Sequence, residues 1–528
     1  MTGERGTYDH VVVGAGSAGC AVAAGLARAG ARVALIEAGP PARDPRLGIP
    51  AMAADLWFGR HDWAVPTAPQ PGLDGRVDTW PRGRVVGGSS AINAMMWVRG
   101  VDADYDGWAA AGATGWDATT MRGLLHGLED DERGATAHRG VGGPVRVERQ
   151  RDPRPVTLAF LDACGELGIP VVDDYHAEEG AALTMVTQRR GRRWSAADAF
   201  LVPALADVGD RLTVRTGATV SRVVVAHGRA VGVELLTGRF REVVRAEGEV
   251  ILCAGAVASP ALLWRSGVGP ADELRALGLG VVVDAPGVGA DLQDHVASGM
   301  VVGTAGGSLH GADRDPRVLA SWLLRRRGPA TSNLGEALAL LRTSEDEPAP
   351  DVELLAIPAP MLDHGRTRFP RHGLTVAAIV LVPESRGRVT LAAADPRRPP
   401  RVAPGTFEDP GGVDLRRMVT GLRTVEALLG TRALGGRIEE RLVPSAPATD
   451  DAALRAHARA TGQTLYHPVG TCRMGSDDRA VVDPALRVRG VDGLRVADAS
   501  VMPRIVRGHT NAAAMAIGVR AAALVGAA

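Results

Sequence analysis

Lysine is absent from this chain of 528 residues, so all 60 of its Lys and Arg cations are arginines. A Walker-type phosphate loop requires a lysine, and pyridoxal enzymes bind their cofactor through a lysine Schiff base. Neither kind of site can be built from this chain. Asp and Glu also number 60, and no basic run stands out that could follow a nucleic-acid backbone. We therefore expect no nucleic-acid partner.

Cysteine is scarce as well, and the four cysteines lie too far apart for a paired metal site or a disulfide scaffold. The polar start "MTGERGTYD" runs directly into a strand pattern, unlike a secretory signal. The apolar tail "NAAAMAIGVRAAALVGAA" is interrupted by Arg520 and is too short and too rich in small residues to cross a membrane unaided. We predict a cytoplasmic protein without a membrane span, whose last helix is buried.

The length exceeds the roughly 250–300 residues at which a single hydrophobic core stops growing, so at least two domains are expected. The opening "HVVVGAGSAG…RVALIEAG" has the pattern of a strand, a glycine turn, a helix and a second strand. The sequence predicts an α/β (α+β) fold, in which a Rossmann-like βαβ domain carries an inserted antiparallel-sheet domain. We assign residues 1–155, 200–300 and 460–528 to the first domain, and residues 156–199 and 301–459 to the second.

Gly14, Gly16 and Gly19 have the GxGxxG spacing of a dinucleotide-binding turn. The first glycine permits the turn, the second lets a pyrophosphate approach the backbone, and the third lets the helix meet the strand. Glu37, at the end of the second strand, is placed to accept hydrogen bonds from a ribose diol, and its charge would repel a 2′-phosphate. The motif predicts an unphosphorylated adenosine and leaves FAD, NAD and a plain glycine turn open.

Longer motifs distinguish between these alternatives. The segments "GRVVGGSSAINAMMWVRG" (83–100) and "GAVASPALLWRSGVG" (255–269) resemble motifs of the glucose-methanol-choline (GMC) oxidoreductase family. The similarity extends to "VGADLQDH" (288–295), "SNLGEA" (332–337), "YHPVGTCRMG" (466–475) and "LRVADASVMP" (494–503). This resemblance implies that the opening βαβ unit holds FAD and that the enzyme oxidises alcohols at the flavin.

The resemblance also implies which residues hold FAD. Some choline-type oxidases bond the flavin covalently through a histidine where this chain has Ile92, so we predict non-covalent FAD. In the Gly87–Gly88 turn, free backbone N–H groups without side chains can approach the cofactor, although a plain tight turn is the alternative. The predicted FAD-binding residues are Gly14, Gly16, Ser17, Ala18, Gly19, Glu37, Ala38, Arg84, Val86, Gly87, Gly88, Ser90, Asn93, Ala94, Met95, Val220, Asp498, Ala499, Thr510 and Asn511.

Two histidines match the family's catalytic positions. His467 is predicted to take the hydroxyl proton of the alcohol, since an imidazole with a pKa of about 6.5 is a neutral base near pH 7. Loss of that proton favours hydride transfer from the carbinol carbon to flavin N5. His509 occupies a position filled by histidine or asparagine in the family, just before the final helix. The N-terminal amides of that helix are expected to stabilise reduced flavin.

The sequence narrows the substrate less sharply. Trp97, Tyr466 and Glu336 are the predicted substrate residues; Glu336 matches a position that faces a cationic substrate in choline-oxidising relatives, with a structural carboxylate as the alternative. Aromatic residues make up 4% of the chain, too few for an evident ammonium cage, which favours a neutral alcohol over choline. A hydroxynitrile lyase, a choline-type dehydrogenase, a nicotinamide dehydrogenase and a flavin protein without turnover stay open, as does the electron acceptor, which is O2 or a quinone or protein carrier.

Overall fold

The computed structural model describes residues 7–237 and 240–526. The first six residues of the polar N-terminal segment and the last two of the apolar tail lie outside the described residues. The strands are, in chain order, β1 (Tyr8–Val13), β2 (Val33–Ile36), β3 (Val65–Pro66), β4 (Thr79–Trp80), β5 (Glu129–Asp131), β6 (Val145–Val147), β7 (Ala181–Leu183), β8 (Gln188–Arg189), β9 (Arg192–Arg193), β10 (Leu212–Arg215), β11 (Thr219–Ala226), β12 (Arg229–Thr237), β13 (Phe240–Leu252), β14 (Val268–Gly269), β15 (Val283–Asp284), β16 (Val296–Thr304), β17 (Ala337–Leu341), β18 (Val352–Ile357), β19 (Met361–Leu362), β20 (Thr367–Arg368), β21 (Gly373–Val380), β22 (Arg388–Leu391), β23 (Pro400–Ala403), β24 (Ile438–Val443), β25 (Gln463–Thr464) and β26 (Leu494–Val496).

The α-helices lie between these strands and after the last of them. They are α1 (Ser17–Arg28), α2 (Ala53–Leu56), α3 (Asp102–Ala110), α4 (Ala118–Leu128), α5 (Pro155–Glu166), α6 (Val202–Val208), α7 (Gly255–Arg265), α8 (Ala271–Ala276), α9 (Pro316–Arg325), α10 (Val413–Leu429), α11 (Arg432–Gly435), α12 (Asp451–Thr461) and α13 (Thr510–Gly526). Within the described ranges, no helix combines the length and the apolar character that a membrane crossing needs.

One sheet is built around the first strand and has the order β10-β2-β1-β13-β12-β11, with β26 also beside β13. Strands β10, β2, β1, β13 and β26 are parallel, whereas β12 pairs antiparallel with both β13 and β11. The length of β13 allows both arrangements: residues 246–252 pair with β1, and residues 240–245 pair with β12. The carboxyl ends of the parallel strands therefore meet at one edge, where loops of this fold class bind ligands.

Helix α1 follows β1 directly and packs against α13, which brings the two ends of the chain together. Both helices are rich in alanine and glycine, and this composition permits a very close approach. A Cβ on Gly518 would lie 2.5 Å from the Ala18 carbonyl oxygen, and one on Gly25 would lie 2.6 Å from the Ala522 Cβ. The apolar tail is thus a buried helix whose small side chains fit it to α1.

A second sheet is antiparallel throughout, in the order β24-β16-β21-β18-β17-β7, with β25 also beside β16. Its residues alternate between two faces, as the period of a strand requires. One face packs in a core with α5 and α10, for example through Val296, Leu354, Val376 and Ala378. The opposite face carries Ala297, Gly299, Leu355, Ile357, Thr375 and Ala377, which line a cavity between the two sheets.

The predicted fold class is confirmed, since a parallel sheet with an opening βαβ unit occurs together with a separate antiparallel sheet. Of the family-like motifs, 255–269 begins with α7, which follows the end of β13, and 494–503 begins with β26. We retain the residue boundaries of the two domains as a proposal.

The contact between α1 and α13 yields a test of its closeness. Replacing Gly518 with Ala places a methyl group against the Ala18 backbone, so we expect a loss of about 1–3 kcal/mol in unfolding free energy, as overpacking typically causes. Gly123, in the exposed face of α4, has no atom within 4 Å of an added Cβ. As the matched control, Gly123→Ala should stabilise the helix by about 0.5–1 kcal/mol. Thermal unfolding of both variants would contradict this packing if their midpoints shifted in the same direction.

Candidate active site

A cavity of about 780 Å³ lies between the carboxyl edge of the parallel sheet and the free face of the antiparallel sheet. Its volume falls in the range of small-molecule and cofactor sites. Among the residues predicted from the sequence, those that line it are Gly14, Gly16, Ser17, Ala18, Glu37, Ala38, Gly88, Asn93, Ala94, Met95, Val220, Tyr466, His467, Asp498, Ala499, His509, Thr510 and Asn511. The fold brings together segments that are hundreds of residues apart in the chain.

The first glycine turn has a reason for each of its glycines. Gly14 has a φ of +100°, and a Cβ there would lie 2.5 Å from the Cys253 carbonyl oxygen. A Cβ on Gly19 would clash with the backbone of Gly14. A Cβ on Gly16 would meet no atom closer than 4.0 Å and would project into open space beside the cavity. The turn therefore offers bare backbone to a ligand at Gly16, at the start of α1.

A second glycine turn packs directly on the first. Gly87 and Gly88 have φ values of +98° and +54°, and the Gly87 N–H donates to the Ala15 carbonyl at 2.8 Å. A Cβ on Gly88 would lie 2.6 Å from the Gly16 Cα, so only glycine fits where the two turns meet. The two turns together form a cradle of exposed backbone on one wall of the cavity.

Glu37 is buried at the end of β2 and lines the cavity. Its carboxylate accepts hydrogen bonds from the backbone N–H groups of Ala15 and Gly39, at 2.9 and 2.8 Å. Burial raises the pKa of Glu37 to about 6, although these hydrogen bonds act in the opposite direction. The side chain is held rigidly as an acceptor beside the first glycine turn.

Two helix N-termini converge on the cavity, because α1 begins at Ser17 and α13 at Thr510. The Ser17 hydroxyl donates to Asn511 Oδ1 at 2.6 Å and ties the two ends together. Since the first N–H groups of a helix lack partners within it, two such ends form a positive region for phosphate or for electron-rich ring atoms.

Asp498 links α7 to the loop after β26. Its carboxylate accepts from the Gly255 N–H, the Ser259 hydroxyl and the Ser500 N–H, at 2.8, 2.6 and 2.8 Å. Burial raises the pKa of this carboxyl above its usual value. Because the carboxylate already binds these three donors, its contribution at the cavity wall is to position the backbone of the surrounding loops.

The catalytic candidate His467 is held by the two residues that directly precede β16. Its backbone N–H donates to Asp294 Oδ1 at 2.8 Å, and its ring Nδ1 lies 2.9 Å from Nδ1 of His295. The other ring nitrogen of His295, Nε2, lies 3.1 Å from the Leu381 carbonyl oxygen. His295 is fully buried, so the protein groups that bind its ring determine which nitrogen carries the hydrogen.

These hydrogen bonds define the tautomers of the two rings. The Leu381 carbonyl can only accept, so Nε2 of His295 carries the hydrogen, and Nδ1 of neutral His295 is the acceptor. His467 must then donate from Nδ1, which leaves its Nε2 with a free lone pair. Burial, together with the neighbouring His509 and His295 rings and Arg82, holds the pKa of His467 well below its usual value. A neutral base results.

His509 lies beside His467, with ring centroids 4.7 Å apart and the planes inclined at 64°. Nε2 of His509 lies 3.2 Å from a carboxylate oxygen of Glu353, a fully buried residue of β18. Glu353 lies two residues before the cavity-lining Leu355 on the same strand, so both side chains are on the face of the sheet that meets the site. This pairing fixes the ring orientation of the second histidine.

Tyr466 has a φ of +70° and is held by a buried relay. Its hydroxyl lies 2.8 Å from Nδ1 of His364, whose Nε2 lies 2.6 Å from Asp78. The ring of Trp57 packs 5.0 Å from that of Tyr466, centroid to centroid. Burial raises the pKa of the Tyr466 hydroxyl well above its usual value, so this group is a neutral hydrogen-bonding wall of the cavity.

Some predicted residues are not on the cavity wall. Trp97 is buried, and its indole N–H donates to Glu129 at 2.6 Å. Glu336 is also buried, and its carboxylate accepts from the Ser332 and Thr157 hydroxyls, both at 2.6 Å, and from a backbone N–H. The structure thus places these two of the three predicted substrate residues in internal contacts, because protein partners bind the Trp97 N–H and the Glu336 carboxylate. Of the predicted cofactor residues, those that lie behind the wall are Gly19, Arg84, Val86, Gly87 and Ser90.

Sequence reasoning did not identify several residues that build the site. His295, Glu353, His364 and Asp78 lie on segments whose pairing with the catalytic loop depends on tertiary structure. A signal existed for two of them, since His295 ends the quoted segment "VGADLQDH" and Glu353 interrupts the apolar strand "VELLAI". An ionisable residue inside an otherwise apolar buried strand usually has a specific partner.

Known proteins with similar sequences cover almost the whole chain. Two family models described as GMC oxidoreductase match residues 8–297 and 383–518. An uncharacterised GMC-type oxidoreductase of Mycobacterium tuberculosis is 45% identical over 98% of this chain and 99% of its own length. Alcohol dehydrogenase [acceptor] of Pseudomonas putida is 37% identical (98% and 95% covered), and mitochondrial choline dehydrogenase of Homo sapiens is 38% identical (99% and 90%).

Solved structures show the same fold. Pyridoxine 4-oxidase from Mesorbium loti superposes with a TM-score of 0.89 at 31% identity and covers 98% of each chain. A variant of Aspergillus oryzae formate oxidase, from work on its FAD modification, superposes with a TM-score of 0.91 at 26% identity, covering 99% of this chain and 98% of its own.

The buried neutral histidines have a measurable consequence for stability. Burial lowers the pKa of His295 to about 3, so between about pH 6.5 and pH 3 the unfolded chain binds a proton that the folded chain does not. The contribution of His295 to the unfolding free energy should therefore fall as the pH is lowered through this window. We expect His295→Asn to reduce the slope of unfolding free energy against pH by up to one proton. Denaturant titrations at several pH values in this range measure the unfolding free energy of both proteins. Equal slopes of that free energy against pH would contradict a buried, neutral His295.

Proposed function

The chain belongs to the glucose-methanol-choline (GMC) oxidoreductase family, as its motifs predicted, and from this premise we propose that it uses FAD to oxidise an apolar alcohol to an aldehyde or ketone. The observation that carries the proposal is the hydrogen-bond chain from Leu381 through His295 to His467, because it leaves a basic nitrogen at the cavity wall. The choice between FAD and NAD that the glycine motif left open falls to FAD with the family.

The cavity wall fits FAD on its own features. The bare backbone at Gly16 and Gly88 leaves room for a pyrophosphate, Glu37 offers acceptor oxygens for a ribose, and two helix N-termini supply positive potential. Ile92 lines the cavity where covalent relatives carry histidine, which supports non-covalent binding. When bound, FAD supplies the hydride acceptor of the reaction.

The chain's own residues perform the proton chemistry. Nε2 of His467 takes the hydroxyl proton of the alcohol, since its lone pair is free and its ring is neutral. His509, held by Glu353, contacts the same oxygen from the neighbouring ring and fixes its position. The antiparallel sheet forms the opposite wall of the site, and its apolar side chains lower the local polarity, which strengthens these polar contacts.

The composition of the wall supports an apolar, neutral substrate. The antiparallel sheet and its loops contribute Leu334, Leu355, Ile357, Met361, Leu362 and Leu465. Among the described residues that line the cavity, the carboxylates are Glu37 and Asp498, both on the dinucleotide side. A cationic substrate such as choline would meet no lining carboxylate near the histidines, since Glu336 binds internal donors and Glu353 lies behind the wall against His509.

Removal of the base gives the direct test. We expect the purified protein to be yellow and to be bleached anaerobically by an apolar alcohol. His467→Gln should retain the flavin but lose about 100- to 10,000-fold in bleaching rate, the usual contribution of a general base. Stopped-flow absorbance at the flavin band measures this rate.

The matched control is His138→Gln, because His138 is an exposed loop histidine. It should bleach at the wild-type rate. A colourless protein would exclude a flavin enzyme, and undiminished bleaching in His467→Gln would exclude the assigned base. Cleavage of a hydroxynitrile without any bleaching by alcohols would instead show the lyase activity that some relatives have.

The pH dependence follows from the lowered pKa of His467. The base is the unprotonated ring, so kcat/KM should still be at its maximum at pH 6.5, where an ordinary histidine is half protonated. It should decline only at lower pH. Steady-state rates from pH 4.5 to 8.5 measure this profile. Burial also raises the pKa of the neighbouring Asp294 to about 7, so the profile is repeated in Asp294→Asn. An acidic limb centred at or above pH 7 that persists in this variant would show that the pKa of the base is not lowered.

A further inference from the structure

Arg193, on the short strand β9, is a buried cation without a charged hydrogen-bond partner. Only 2% of its surface is exposed. Within the described part of the chain, its guanidinium donates to the Leu47 carbonyl at 3.0 Å, the Ser90 carbonyl at 3.2 Å and Asn93 Oδ1 at 2.8 Å, all of which are uncharged. Its Nη2 atom has no hydrogen-bond partner there. Buried charges are normally paired, so this arrangement requires an explanation.

The contact with Asn93 orients a group on the cavity wall. Asn93 Oδ1 accepts both from Arg193 and from the Met95 N–H, the latter at 3.0 Å. Both partners can only donate, so the amide oxygen must face them. The Asn93 NH2 group is thereby left as a donor for the cavity, which Asn93 lines.

The guanidinium stays charged at neutral pH. Burial lowers the pKa of Arg193 to about 9, and Asp198 is the carboxylate that opposes this shift. Asp198 itself accepts from the N–H and hydroxyl of Ser195, at 2.9 and 2.6 Å. A positive charge therefore stands one hydrogen bond behind the cavity wall, in surroundings of low polarity where charges act strongly.

We propose that Arg193 is a positioning residue that raises the reduction potential of the bound FAD, through its positive charge and through the Asn93 amide that it orients. This inference rests on the proposed function. Reduction by an alcohol moves two electrons and one proton as hydride from the carbinol carbon to the cofactor, while the hydroxyl proton goes to His467. Reduction would add electrons to the flavin ring, so a nearby cation and a hydrogen-bond donor would stabilise reduced FAD more than oxidised FAD.

The test measures the midpoint potential of the bound flavin by titration with dithionite against a reference dye. Arg193→Gln removes the charge, and we expect the equilibrium for reduction to fall at least tenfold, which is about 30 mV for a two-electron couple. Arg193→Lys keeps the charge and should retain most of the wild-type potential. Arg192→Gln, at the exposed neighbouring position, is the matched control and should leave the potential unchanged.

Asn93→Asp provides a second route, because it gives the guanidinium a carboxylate partner and removes the amide donor while Arg193 stays in place. It should also lower the potential, and it supplies the measurement if Arg193→Gln is purified without flavin. A wild-type potential in either measured variant would overturn the proposal, as would an equal fall in Arg193→Lys and Arg193→Gln. Dithionite reduces the flavin without an alcohol, so the potential can be measured even if no alcohol is a substrate. If the Arg193 variants show the expected fall in potential but no alcohol bleaches the wild-type protein, the proposed function is refuted and the role of Arg193 is not.

Discussion

The hydrogen bond between Nδ1 of His295 and Nδ1 of His467 is the contact on which the proposed chemistry depends. It requires a neutral His295, because Nδ1 of that ring must accept, and the fold enforces this by burying His295 completely against the Leu381 carbonyl. The adjacent Asp294 binds the backbone of His467. Asp294 and His295, which directly precede β16, therefore set the position, the tautomer and the charge of the proposed base.

The second constraint is the closeness of the backbone on the opposite wall. Two glycine turns touch at Gly16 and Gly88, and two helices of small residues approach until Gly518 meets Ala18. Since no side chains intervene, the helix N-termini and the bare N–H groups reach the cavity together. The wall that fits FAD is thus made mainly of peptide groups, whereas the wall proposed to face the alcohol is made of apolar side chains from the antiparallel sheet.

Ionisable groups around the cavity differ in how they are compensated. Glu353 faces His509, and Asp498 is surrounded by N–H and hydroxyl donors. Arg193 has hydrogen bonds but no charged partner within them. An interior that surrounds its anions with donors and places the Arg193 cation behind the wall favours the build-up of negative charge in the cavity, which is what hydride acceptance produces.

The sequence alone determined the family, the βαβ opening, the glycine positions and the two facing histidines, because these depend on local backbone geometry or on contiguous motifs. Tertiary structure alone decided which side chains support them. Trp97 and Glu336 make internal contacts instead of lining the cavity, whereas His295, Glu353 and His364 support the residues of the site. Strand pairing decides which face of a strand meets the cavity. A buried polar group takes its role from its partners, and those partners come from distant segments that only folding brings within hydrogen-bond distance.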